Sequence, residues 1–514
     1  MPARTRLLAV LLCPLAAGCV GPAAKAPPEL GVAGPVLAPI RHERFFRGER
    51  ELFGYRPRFW PNTVTFDPDN RPYLRAGDEH QGWKNTVGVV QTLDRHGRWQ
   101  RLDFTRAIRA RFPKWDGTFL RSHFAEERIA FDAAGDAYMV VNGTRSSLHR
   151  NLLLHSRDRC RTWHVHELPA GWARLEMPDG HNDLDRPPVL LVHAGWQGGP
   201  LRLIAPRKES DGTLTVPKPV RLPDDGNARP LPLHSGAGNA TATKRGRTHV
   251  VWLSLTPVPG RDGTPQYAAT YDHATGAFTK PVLLGLGGTG KPDVHNGPAV
   301  ALDSKGTLHV VFGAHHDPFH HTRSLEPNTT TAGWTKPVPI GKPQPAARSG
   351  SYTYVSLVCD RADTLHVVAR YAGDGYRFCL DYLRRRAARP WEDRGHLLIP
   401  FRAYYSCWYH KLTLDRRGRL FLSYLYYGDQ YGDEHNAPGD RSGDEVAAYR
   451  RKWPAETIEL RQGSRTRHGS WKGLRAHDPA ILMTDDAGDT WRLALTPDFP
   501  AGLLPPHSRA PRAE

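Results

Sequence analysis

Histidine and tyrosine are the side chains best suited to moving protons near neutral pH, and in this chain they recur at one kind of place. His123 precedes the apolar run of RSHFAEERIAFD, His181 that of GHNDLDRPPVLL, His234 that of LHSGAGNATAT and His295 that of VHNGPAVALD. Tyr352 and Tyr354 precede VSLVCD, and Tyr409 with His410 precedes KLTLD. A convergent group of imidazoles and phenols would do general acid–base chemistry. Each residue alone has an ordinary alternative, a hydrogen bond to a neighbouring element. The stretch Lys291–Ser324 sharpens the question, because it holds six histidines around an alternating apolar core.

The elements that must position these side chains form a repeat. An alternating apolar strand ends in Asp, a tight polar turn with Gly follows, and a second apolar strand runs on; PAVALDSKGTLHVVFGA is one copy and HKLTLDRRGRLFLSYLYYG another. The first strands centre near Val64, Ile129, Leu190, Ala242, Val300, Leu357 and Leu412, between 52 and 65 residues apart. After most copies there is room for two more strands. Each unit is then a four-stranded antiparallel sheet that cannot cover both its faces alone, and the expected fold is all-β, a seven-bladed β-propeller of such blades. With 49 Gly and 45 Pro in 514 residues, long helices have little room. Residues just before each innermost strand gather at one rim of the central channel, the default binding site. By that logic His123, His181, His234, His295, Tyr354, Tyr409 and His410 share the rim. The propeller is expected over 46–497, with a polar insertion at about 428–475 in the last blade and a basic tail at 498–514.

The first nineteen residues place Arg4 and Arg6 before an apolar run, a signal for export that is too short to span a bilayer. An Ala/Pro-rich tether follows over 20–45. A net charge of +18 on an exported protein points to an acidic polysaccharide as partner rather than nucleic acid, and a monomer is expected. Cys160, Cys359, Cys379 and Cys407 allow one bridge without demanding a disulfide framework. Cys407-x-x-His410 offers two metal-ligand types in a spacing that specifies no metal by itself. No cofactor is required by the expected chemistry, and a structural Ca2+ or Zn2+ remains open.

Three resemblances add to this. Ala16-Ala17-Gly18-Cys19 resembles a bacterial lipobox, which implies cleavage before Cys19, acylation of its thiol, and a periplasmic or cell-surface location on a lipid anchor. The turns Thr484–Trp491 and Ser156–Trp163 resemble the Asp-box S-x-D-x-G-x-T-W of BNR-repeat propellers, the second with Cys160 at the Gly position. VHNGPAVALDSKGTLHVVFGAHH with SYTYVSLVCDRADTLHVVAR resembles the BNR-repeat family that includes the seven-bladed ulvan lyases. That resemblance implies His295 with Asn296 before one inner strand, His315 at the end of the next strand, then Tyr354 and Arg370 in the following blade. His316 competes with His315 for its role. The implied activity is a polysaccharide lyase cleaving a uronate-containing, ulvan-like polymer by β-elimination. Tyr354 would serve as base or acid or both, Arg370 would neutralise the uronate carboxylate, His295 and His315 would be base partner or carboxylate binders, and Asn296 would orient. His123, His181, His234, His316, Tyr409 and His410 are then substrate contacts. Among the six histidines of the opening stretch, His309 is read as packing, and His320 and His321 as surface. Two alternatives stand: a non-catalytic polysaccharide-binding lipoprotein, and a sialidase-like hydrolase, for which no arginine triad is evident.

Overall fold

The computed structural model describes Leu37, Ile40–Arg41 and most of 64–499; residues 116–118, 121–128, 194–198, 230–238, 342–350, 373–377, 400–406 and 428–464 are among those outside it. Within it the chain is mostly strand, arranged as seven four-stranded antiparallel blades of a propeller. The innermost strands are Thr65–Phe66, Ile129–Phe131, Trp172–Leu175, Thr241–Lys244, Ala299–Leu302, Ser351–Cys359 and Cys407–Leu414. Because each blade is covered on both faces by its neighbours, its strands are apolar on both faces rather than on one. Val358, Val368 and Leu380 of the sixth blade interlock with Leu412, Leu422 and Leu482 of the seventh, for example.

Among the described residues no strand is shared between the first and last blades. The seventh is built from Cys407–Leu414, Leu420–Tyr427, Ile481–Thr484 and Arg492–Leu493, and the ring closes by side-chain packing. Val64, Phe66 and Leu74 meet Phe421, Ile481 and Met483, with the Phe66 and Phe421 rings 4.9 Å apart. Asn70 Nδ2 donates to Asp415 Oδ2 at 3.1 Å across the same seam.

A second repeat lies in the turns that leave the innermost strands. Asp67, Asp132, Asp303, Asp360 and Asp415 each accept backbone N–H groups of their own turn. The third residue after each adopts a positive φ: Asn70, Gly135, Gly306, Asp363 and Gly418. Short polar residues and glycine tolerate that conformation, which explains the composition of these positions. Four of the five aspartates also contact a ring group from the next strand: Tyr73, Tyr138, His309 and His366. His309 therefore recurs as a turn anchor and not as a site residue, in line with its reading as packing. His321 was expected at the surface; it is buried, its ring stacked on His309 at 5.4 Å, because its strand lies in the interior of the fifth blade. His320 in turn stacks on Phe312. Cys160 and Cys359 are free and buried, and Cys379 is buried.

The third blade departs from expectation. Leu190–His193 pairs with Trp172–Leu175 on one side and Arg202–Ile204 on the other, so it is the second strand and not the first. Leu190, Leu191 and Val192 carry the same apolar pattern as the true first strands, and nothing local separates the two cases. The residues between, 176–189, form not a tight turn but a loop that crosses the base of the channel. Leu184 O accepts from Ala133 N of the second blade, Asp183 N donates to Thr243 O of the fourth, and His181 Nε2 lies 2.8 Å from Asp360 O of the sixth. Gly180 (φ +63) presses against the Cys359 carbonyl so closely that a Cβ would overlap it.

Glu176, where this plug begins, is buried, and burial raises its carboxyl pKa to about 7 against the opposing hydrogen bonds from Thr243 and Val189. A raised folded-state pKa adds stability below the unfolded value near 4.5 that is lost as pH climbs toward 7. Glu176→Gln is expected to flatten the fall in urea midpoint between pH 5 and 8, an effect on the order of 1–3 kcal/mol. An unchanged slope in the variant would reject this assignment.

At the N-terminal side Leu37 packs into the cluster between the sixth and seventh blades, and Ile40–Arg41 pairs parallel with Glu392–Ile399. The end of the segment read as a tether is thus part of the propeller. Phe499 is likewise buried against Phe421, one residue into the expected tail.

Candidate active site

The site begins with a one-turn 3-10 helix, Val294–Asn296, set before the innermost strand of the fifth blade. Asp293 is its N-cap: one carboxylate oxygen accepts from His295 N at 2.7 Å and lies 2.6 Å from His295 Nδ1. Asp293 N in turn donates to Thr264 Oγ1 of the fourth blade at 2.9 Å, and Asn296 Nδ2 reaches the same oxygen at 3.2 Å. A carboxylate can only accept, so its contact with Nδ1 favours the tautomer with the proton on that nitrogen, the one a general base acting through Nε2 needs. The His295 side chain keeps 25% of its surface exposed.

The sixth blade supplies the partner. In the pairing of Ser351–Cys359 with Leu365–Ala372, Thr353 lies opposite Arg370 and Val355 opposite Ala369, so Tyr354 is an extra residue, a β-bulge. Its φ is +63, which for a tyrosine costs on the order of 1–3 kcal/mol and persists only when surrounding contacts fix it. Arg370 provides one: its Cζ sits 4.1 Å over the Tyr354 ring while Nε donates to Thr353 Oγ1 at 2.9 Å. The His295 and Tyr354 ring centroids are 6.0 Å apart. His315–Asp317 adds to the inner edge of this blade with His315 paired to Thr353, so the backbone of His315 neighbours the bulge; the side chains of His315 and His316 lie outside the described residues.

Three of the four expected catalytic residues, His295, Tyr354 and Arg370, therefore meet. Their exposures differ from expectation. Arg370 is 2% exposed and Tyr354 5%, so the guanidinium acts through the Tyr354 ring rather than as an open fork for a carboxylate. Asn296 is buried on Thr264, so it positions the His295 turn.

Other expected contacts are corrected or lie outside the described residues. His181 sits in the plug at the opposite end of the channel, because the third blade's strands are displaced by one. His410 is fully buried between the sixth and seventh blades, and Nε2 bonds to Val368 O at 3.0 Å. Burial lowers its pKa to about 3, and that nitrogen is committed, which removes it both as a substrate contact and as a metal ligand with Cys407 through Nε2. The side chains of Tyr409 and Cys407, and all of His123 and His234, fall outside the described residues.

Asp293, Thr264 and Thr353 were not anticipated. Asp293 had a readable signal, an N-cap aspartate two residues before the histidine; Thr264 and Thr353 had none, since they depend on which strands become neighbours. Arg174, Arg229 and Lys411 are further cations buried on the innermost layer of the third, fourth and seventh blades.

Residues 266–492 match the model of a BNR repeat-containing family member. This span runs from the fourth blade to the end of the last and contains the Asp293–Arg370 site. No curated protein is similar in sequence. Solved structures to which the chain is similar include an ulvan lyase of a then-new polysaccharide lyase family (11% identity, 71% of this chain and 92% of that chain, TM-score 0.39). Others are an α-L-arabinanase of Penicillium chrysogenum (11%, 60% and 90%, TM-score 0.35) and a protein of unknown function from Dyadobacter fermentans (10%, 73% and 93%, TM-score 0.35). At such identities and TM-scores these likenesses carry no reading of the reaction.

Proposed function

We propose that the protein is an exported carbohydrate-active enzyme, a lyase that cleaves a uronate-containing acidic polysaccharide by β-elimination. The observation that carries the reading is the Asp293–His295 pair beside a left-handed Tyr354 backed by Arg370. In the proposed step His295 Nε2 takes the C5 proton, the C4–O4 bond breaks with its electron pair leaving on O4, and the Tyr354 hydroxyl returns a proton to O4. The product carries a C4–C5 double bond. Arg370 supplies positive charge where negative charge develops, in a setting where burial strengthens the interaction. The net charge of +18 suits an anionic polymer. The export signal and Ala16–Cys19 support periplasmic or cell-surface placement on a lipid anchor.

The low exposure of Tyr354 and Arg370 favours a second reading, a propeller that captures the polymer without cutting it. The sialidase alternative pairs its tyrosine with a Glu, whereas the contacts seen at the Tyr354 ring include Arg370 and His295, a pairing that suits the lyase better. Incubation with ulvan, glycosaminoglycan, pectin and alginate decides the matter: the lyase produces the ultraviolet absorbance of an unsaturated uronate on at least one polymer. Retention of a polymer on the protein with no absorbance from any of the four would establish the binding reading instead.

A further inference from the structure

The plug brings a second cluster together at the other end of the channel. His181, Cys359 and Asp363 place one nitrogen, one sulfur and one carboxylate oxygen within 4.8 Å of one another. His181 comes from the third blade's long loop. Cys359 and Asp363 come from the end of the sixth blade's innermost strand and the turn that follows it. Tyr354 stands five residues earlier on that strand, roughly 16 Å away at about 3.3 Å per residue. The cluster is therefore separate from the site described above.

Four features make it more than a chance meeting. Gly180 allows the plug backbone to touch the Cys359 carbonyl, an approach no other residue permits, and this seats the His181 ring. Asp363 adopts φ +59 and is held by Ser304, whose N and Oγ donate to its two oxygens at 2.7 and 2.6 Å. His181 Nε2 lies 3.0 Å from Asp363 Oδ1 and 2.8 Å from Asp360 O. The Cys359 thiol is buried and makes a long contact to Asp360 O at 3.8 Å. A buried thiol with so little hydrogen bonding, facing an imidazole nitrogen and an anchored carboxylate, is a donor set that d-block cations favour and calcium does not.

We propose that His181, Cys359 and Asp363 bind one divalent d-block cation, with zinc the expected ion, and that this ion staples the plug to the sixth blade. The cation takes the place of the proton between His181 Nε2 and Asp363 Oδ1, the imidazole staying neutral with its proton on Nδ1, and the Cys359 thiol loses its proton to solvent on binding. Zinc–ligand lengths of about 2.0–2.3 Å at tetrahedral angles set donor separations of roughly 3.4–3.6 Å. The nitrogen–oxygen pair need widen only slightly from 3.0 Å, and the sulfur closes from within 4.8 Å. The Asp360 carbonyl, near both Nε2 and Sγ, is placed to be the fourth donor.

The test uses the purified full chain. Dialysed against zinc and desalted, the wild type is expected to retain about one equivalent by elemental analysis, and a strong chelator should remove it and lower the melting temperature by several degrees, reversibly. Cobalt in place of zinc should show a thiolate charge-transfer band in the near ultraviolet. Cys359→Ser and Asp363→Asn, checked for folding by circular dichroism, should lose the retained metal, whereas Cys407→Ser should keep it. Folded wild type that retains no zinc, a cobalt form with no thiolate band, or full retention in Cys359→Ser would each overturn the proposal. The wild-type cobalt spectrum decides even if both variants fail to fold.

Discussion

Replacing His295 with alanine is expected to lower kcat/KM on a uronate polymer by about 10²- to 10⁴-fold, the range typical of a lost general base, while the melting temperature stays close to that of the wild type. The second half of the expectation follows from position. The imidazole is a quarter exposed, and the neighbouring backbone is held by Asp293, Thr264 and Asn296 rather than by the ring. Asp293→Asn is the companion measurement. An amide can present N–H to Nδ1 and so favours the wrong tautomer, for which a loss of about 10- to 100-fold fits a group that orients a reactive histidine. If His295→Ala retains full activity on a polymer that the wild type cleaves, the base lies elsewhere. His315 would then be the first residue to examine, since its backbone pairs with Thr353 beside the same tyrosine.

The largest expected effect on stability is that of Gly180→Ala. A methyl group there would overlap the Cys359 carbonyl oxygen, a backbone atom that cannot swing aside, and φ of +63 adds the left-handed cost borne by every residue with a Cβ. Together these should cost about 2–4 kcal/mol, read as a lower urea midpoint. Because the overlap can be relieved only by withdrawing the plug, proteolysis within 176–189 should also accelerate. Gly226→Ala is the control, since φ is +82 but nothing lies within 4 Å of the added carbon. It should lose only about 1 kcal/mol, the conformational part alone. Equal losses in the two variants would show that the Gly180 contact contributes nothing and that the plug is not tightly seated.

Much of this molecule is legible before folding, and the limits have physical causes. Six of the seven innermost strands can be read from apolar alternation running into a tight polar turn, five of them through a turn Asp, because that turn chemistry is local. The third blade misleads because its first turn is replaced by a long loop, and Leu190–Val192 reads like a strand of either rank. His295 and Tyr354 can be named from residue type and place in the repeat, and Arg370 from the family resemblance. What cannot be named is how deeply they sit. Burial of Arg370 and His410 depends on the packing of the sixth blade against the seventh, and the bulge at Tyr354 depends on a one-residue offset between two strands that both look regular. Recurrence of histidine also has a meaning apart from chemistry. His309 and His366 repeat because each anchors a turn aspartate, so repetition marks a structural duty as readily as a chemical one.

The seam where the first blade packs on the seventh governs how the molecule is made. Blades that complete themselves from consecutive residues can form one after another as the chain leaves the ribosome. Their ends meet only when Ile481–Thr484 is available to pack on Val64 and Phe66. The ring is thus an open arc until the seventh blade has been made, and the apolar edge of the first blade waits uncovered for its partner. That interval is the time when the chain is most exposed to aggregation, and the joint made last is expected to be the first to part under load. The Asp293–Arg370 site lies on the fourth to sixth blades, away from the joint, so it can be assembled before the circle closes.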